Sequence, residues 1–193
     1  MLKSVARFIV FAAVCALSAP LVLAPAEAAK GHAKPKAPAK TSSPASSAAN
    51  KPLGAFKDWN AYRLDDPAKK VCFIVSEPKS KKLSKGAHRS DPFFLVTRWA
   101  PGQTFQPSTI VGYAQAPGTK AKVTIGTDKF DMFVDGDGAW MESVDGDKKL
   151  LDAMRKGSTM TVEAVSAKGT KSTDRYSLAG IGSALDKLDD ACK

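Results

Sequence analysis

The 193-residue chain carries 29 Lys and Arg against 19 Asp and Glu, a formal charge of +10, with 44% apolar residues and three cysteines. The charge is unevenly placed: from Leu53 onward there are 22 cationic and 18 acidic side chains, a net of +4. That is too modest a field to call for a nucleic-acid partner. With only His32 and His88, little remains from which to build a general base or a zinc site.

Residues 1–28 are expected to form a cleavable signal peptide. Lys3 and Arg7 supply the positive start, and residues 8–23 (FIVFAAVCALSAPLVL) are apolar and uncharged. Ala26 and Ala28 fit a cut before Ala29, and Ala24 and Ala26 fit one before Glu27. Pro20 and the short run argue against a retained membrane anchor. Ala12-Ala13-Val14 is a poor lipobox before Cys15, and no twin arginine is present, so a Sec-type leader is expected. The mature chain is then periplasmic or secreted, with no transmembrane span. Residues 29–53 are rich in Lys, Ala, Pro and Ser and hold no aromatic residue. Such a stretch buries too little apolar surface to offset its ordering entropy, and is expected to be a disordered, extended linker.

A single domain is expected over residues 54–193, long enough for one core. Branched and aromatic runs predict strands at 71–75 (VCFIV), 93–97 (FFLVT), 109–113 (TIVGY), 121–125 (AKVTI), 130–134 (FDMFV), 159–165 (TMTVEAV) and 175–178 (RYSL). Ala116-Pro117-Gly118 marks a turn, and Asp135-Gly136-Asp137-Gly138 a hairpin turn. The latter resembles the opening of a calcium loop, but its fifth position is Ala139 and its twelfth Gly146, where a carboxylate is needed. A short helix is expected over 146–156, with Leu150, Leu151 and Met154 on one face and Gly157 at its end. Asp147 would favour its N-terminus. A last helix puts Ile181, Ala184, Leu185, Leu188 and Cys192 on one face. The fold class is mainly β: one sandwich-like or barrel-like unit with a short internal helix and a C-terminal helix.

Removing the leader removes Cys15 and leaves Cys72 and Cys192, 120 positions apart. In an oxidising compartment such a pair is expected to form a disulfide, the alternative being two separate buried thiols. Neither has CxxC spacing.

The stretches FKDWNAY, KVCFIVSEPK, DPFFLVTRWA and KVTIGTDKFDMFVDGDGAW, followed by AMRKGSTMTVEAVSAKGTKSTDRYSLAG and a cysteine-bearing terminal helix, together resemble the invasion-associated locus B family of bacterial exported proteins. The resemblance covers about residues 56–192. It implies a secreted or periplasmic β-rich domain without a defining catalytic activity, linked in some pathogens to host-cell entry.

His88 lies in the charged connection KSKKLSKGAHR and reads as a solvated loop histidine; no catalytic residue, metal or cofactor is expected. Lys79, Lys81, Lys82, Lys85 and Arg89 of that connection form the candidate loop for an anionic partner. Trp59, Trp99 and Trp140 are candidates for a ligand face or for the core. The expected function is non-enzymatic binding at the cell envelope or outside the cell. Association with peptidoglycan or another anionic polymer, and adhesion to a host surface, are the alternatives.

Overall fold

The structure is a computed structural model that describes residues 50–64, 71–99 and 102–192. The leader expected over 1–28 and all but the last four residues of the expected linker lie outside the described residues. In chain order the elements are β1 (Asn50–Phe56), β2 (Trp59–Leu64), β3 (Cys72–Ser76), β4 (Ser80–Leu83), β5 (Phe93–Arg98) and β6 (Gln106–Ile110). Then come β7 (Lys120–Ile125), β8 (Asp128–Asp135), β9 (Gly138–Trp140), α1 (Val144–Lys156), β10 (Thr159–Val165), β11 (Lys171–Ser177) and α2 (Ile181–Ala191). The strands form one antiparallel sheet in the order β1-β2-β3-β5-β6-β9-β8-β7-β10-β11-β4. The mainly β fold with two helices is as expected.

The sheet order forces the sheet to curl. β3 and β4 stand eight strand spacings apart, about 38 Å in a flat sheet. The chain joins them through residues 77–79 alone, which reach at most about 14 Å. The two flanks therefore come together, and hydrogen bonds cross between them. Lys79 N–H donates to Arg175 O at 2.7 Å, and the Trp59 indole N–H donates to Ser177 O at 3.1 Å.

Period-two alternation then decides what the curl encloses. Trp59, Ile74, Phe94, Val96, Val123, Met132, Met160, Val162 and Tyr176 all point to the inner face and are fully or almost fully buried. Trp59 and Tyr176 each meet Phe94 edge to face, with ring centroids 6.4 and 5.9 Å apart. The helices join the same core. Ser143 caps α1, its hydroxyl accepting from Gly146 N–H at 3.1 Å, and Leu150, Leu151 and Met154 are buried. α2 buries Ile181, Ala184, Leu185 and Leu188. Cys192 just beyond it is bonded to Cys72 on β3, with a Cα–Cα distance of 6.2 Å. Arg98 on β5, opposite Cys72 in register, pairs with Asp189, so an ion pair and a disulfide anchor the end of α2 to neighbouring strands.

Several elements differ from expectation, and β2 and β9 lie where no strand was expected. β1 begins at Asn50, so residues 50–53, assigned from composition to the linker, lie in the sheet. Backbone pairing with β2 needs no apolar side chain, and most of β1 is exposed. The strand expected over 109–113 is Gln106–Ile110 instead: the ladder runs through small polar residues, and the chain turns at Gly112. A Cβ on Gly112, at φ +81, would meet the Ser90 carbonyl oxygen at 2.1 Å, so only glycine lets the two segments touch. β4 lies where a loop was expected.

The disulfide closes a loop of about 120 residues, for which chain entropy predicts about 4–5 kcal/mol. Replacing Cys72 and Cys192 together by Ser is expected to lower unfolding free energy by about 3–5 kcal/mol in urea titrations. Reducing agent should have the same effect on the unmodified protein and none on the variant.

Candidate functional site

The basic connection singled out from the sequence is not one surface. Ser80–Leu83 form edge strand β4, paired with β11. Lys79 pairs with Asp58 and Lys81 with Asp91, each holding its carboxylate below the usual range through the hydrogen bond it donates. Lys82 and Lys85 are exposed, as is His88.

Arg89 leaves the group altogether, which corrects its assignment as a ligand for an anionic partner. The connection from β4 to β5 carries its side chain inside the curled sheet, where it is 5% exposed. There the guanidinium donates to both carboxylate oxygens of Asp174, whose side chain is 1% exposed, and to Val111 O at 3.0 Å. Tyr113 lies under the guanidinium at 5.9 Å, and its hydroxyl is 2.6 Å from Ser172 Oγ. Burial raises the pKa of Tyr113 and of Tyr176, the latter helped by the charge of Asp174. This is a two-pronged internal pair of the kind arginine makes with carboxylates. Its partner stands 85 positions away, so spacing does not reveal it.

The accessible basic surface comes instead from strands distant in sequence. On β7, β10, β11 and β4, outward positions bring together Lys120, Lys122, Lys171, Arg175 and Lys82 around the lone outward acid, Glu163. A groove of about 310 Å³ lies among Lys120, Lys122, Glu163 and Lys171. At its edge Lys120 is paired with Glu142 at 2.9 Å, and Asp131 stands opposite Lys122. Among the predicted loop residues only Lys82 takes part. The signal that finds the others is the polar half of each strand's alternation, read together with the sheet order.

The three tryptophans separate. Trp59 is core. Trp99 is 55% exposed and donates its indole N–H to Gln106 Oε1 at 2.9 Å. Trp140 is half-buried on the outer face, 5.9 Å from the ring of Phe133, which is 40% exposed. The Asp-Gly turn is as expected: Gly136, at φ +59, takes the first place of the two-residue connection between β8 and β9. Asp147 does sit in the first turn of α1, but it is 6% exposed, and burial pushes its carboxyl up to about 6.

Comparison with known proteins adds the following. The family model described as Invasion associated locus B (IalB) protein matches residues 59–189. Among solved structures, the crystal structure of invasion associated protein b from Bartonella henselae is similar with a TM-score of 0.51 and 16% identity. The alignment covers 70% of this chain and 94% of that one. No curated protein matches.

Three substitutions test these placements. Arg89→Ala strands the Asp174 carboxylate in the interior and is expected to cost about 3–5 kcal/mol in denaturant unfolding. Lys85→Ala should change stability by less than about 0.5 kcal/mol. For Asp147, the folded pKa is raised, so its burial carries no penalty below about pH 4 and a growing one between about 4 and 6. Asp147→Asn is therefore expected to stabilise the domain by on the order of 1–3 kcal/mol at pH 8 and to make little difference at pH 4, measured as paired urea titrations.

Proposed function

The chain belongs to the invasion-associated locus B family, and from that premise we propose that it is an exported, non-enzymatic domain that binds an anionic polymer of the cell envelope through the outer face of β7, β10, β11 and β4. The carrying observation is where the charge lies. From Leu53 onward the chain's net excess is +4, and the outward positions of these four strands hold five cations against one carboxylate, with Glu142 and Asp131 at the edge beside Lys120 and Lys122. An extended polyanion crossing the face meets several ammonium groups at once, which is how individually weak surface charges become effective. The Cys72–Cys192 disulfide supports export, since such bridges persist in oxidising compartments. A non-catalytic role is supported by an exposed His88 and by both mature cysteines being used in the bridge.

Host-surface adhesion is the second reading, favoured by the invasion-associated description of the family. It requires exposure outside the cell. Fractionation separates the two: mature protein found wholly inside the outer membrane argues for the envelope role.

Binding is checked by co-sedimentation with purified peptidoglycan over a salt series. The triple variant Lys82→Glu, Lys122→Glu, Lys171→Glu is expected to bind at least about tenfold more weakly, and binding of the unmodified protein to fall as salt rises. Salt-independent binding that survives the charge reversals would overturn the assignment of this face.

A further inference from the structure

The turn between β1 and β2 is built against its own backbone preference. Three strand pairs are joined by two residues: Lys57-Asp58 between β1 and β2, Gly126-Thr127 between β7 and β8, and Gly136-Asp137 between β8 and β9. The first place of each is left-handed, with φ of +54, +59 and +59. Two of the three put glycine there, which has no Cβ to crowd its neighbours. Lys57 alone among the described non-glycine residues has a positive φ. Such a residue is strained, and the strain persists only where surrounding contacts over-determine it.

Those contacts are in place. Asp58 N–H donates to Ala179 O at 3.3 Å, and the Ser76 hydroxyl donates to Asp58 O at 2.7 Å. Lys79 pairs with the Asp58 carboxylate. Gly180 packs so closely against the turn that a Cβ on it would come within 2.1 Å of Phe56 O. The turn is therefore held, and what it gains over a glycine turn is the lysine side chain. Strain of this kind gathers at ligand clamps.

Lys57 stands on the wall of a cleft of about 370 Å³ on the outer side of β2 and β3. That volume lies within the range of small-molecule sites, about 300–1,000 Å³. Register sets Tyr62 opposite Phe73 and Asn60 opposite Val75. The two rings stack with centroids 5.4 Å apart, so Phe73 steadies the Tyr62 ring that lines the cleft. Asp58 and Lys79 are occupied with each other. The Lys57 ammonium, the Asn60 amide and the Glu77 carboxylate are exposed, and none has a hydrogen-bond partner among the described residues.

This lining selects by chemistry. Two cations and two carboxylates cancel, so the cleft offers no net field to a polyanion. An acyl chain would cover the amide and the carboxylate without pairing them, which is costly. We infer that the cleft binds a neutral saccharide unit, with the Lys57-Asp58 turn as its clamp. The apolar side of the sugar ring rests against Tyr62, while its hydroxyl groups donate to Glu77 and accept from Asn60 and Lys57. None of these residues belongs to the lysine face, so the two sites are independent.

Neutral sugars occur both in cell-wall glycan and on host surfaces, and the test separates these sources. The isotope-labelled, disulfide-intact protein is titrated with tri-N-acetylchitotriose and, separately, with N-acetyllactosamine, and backbone amide shifts are followed. Saturable shifts centred on residues 57–62 and 75–79 are expected with at least one sugar, unchanged by salt. Tighter binding of the first points to cell-wall glycan and of the second to a host surface. Tyr62→Ala and Lys57→Gly should each weaken binding at least about fivefold. Lys57→Gly should not lower the thermal midpoint, because relief of the left-handed strain offsets the freedom glycine adds to the unfolded chain. It therefore decides if Tyr62→Ala does not fold, and a merely structural lysine would leave binding as it is. The lysine-face triple variant should bind both sugars as the unmodified protein does. No saturable shift with either sugar at millimolar concentration would overturn the inference, as would binding indifferent to both substitutions.

Discussion

The rest of the structure depends on the connection between β3 and β4. Three residues join strands that stand third and eleventh in the sheet, so the sheet cannot lie flat. Had β4 simply folded back on β3 as a hairpin, the same strands would form an open sheet with its core face exposed. Pairing β4 with β11 instead makes closure a property of the topology. Everything apolar on the inner alternation is then enclosed without a second sheet. Hydrophobic burial, which has no direction of its own, is given one by a chain-length limit.

Closure by a short connection fixes the approach of the two flanks but not their exact seating. Directional contacts do that. Arg89 reaches from the β4–β5 connection to Asp174 on β11 and to the carbonyl after β6, so it touches three parts of the wall at once. A buried ion pair gains little against an apolar pair of the same volume. Its effect is on the alternatives: any other seating leaves a guanidinium or a carboxylate alone in the interior, which is far costlier than a misplaced methyl group. The disulfide and the Arg98–Asp189 pair act similarly on α2. Both lie on the inner face of β3 and β5, so the last helix is held against the strands whose core side it covers.

These relations explain what was legible in the sequence. Strand β10 reads at its true bounds because TMTVEAV alternates cleanly, and the helical face bearing Cys192 points to its partner by period alone. β4 and β9 escape for opposite reasons. SKKL is an edge strand whose charges keep it from pairing further, so it looks like a loop. GAW is too short to show a period. β6 is displaced because backbone hydrogen bonds through Pro107, Ser108 and Thr109 are invisible to an apolar count, while Val111, more apolar, is buried from the turn. Arg89 is the sharpest case. Its neighbours in sequence are solvated lysines, and only the three-dimensional position of Asp174 distinguishes it from them. The basic face is missed for the same reason: Lys82, Lys122 and Lys171 meet through sheet order, which no local window contains.

The division of the outer surface follows from the same curl. In sheet order the apolar positions run from β2 to β8 and the cations from β7 through β11 to β4. Because the sheet bends back on itself, the two stretches occupy different flanks. The cations are thus gathered on one flank by sheet order, although the charge excess from Leu53 onward is only +4.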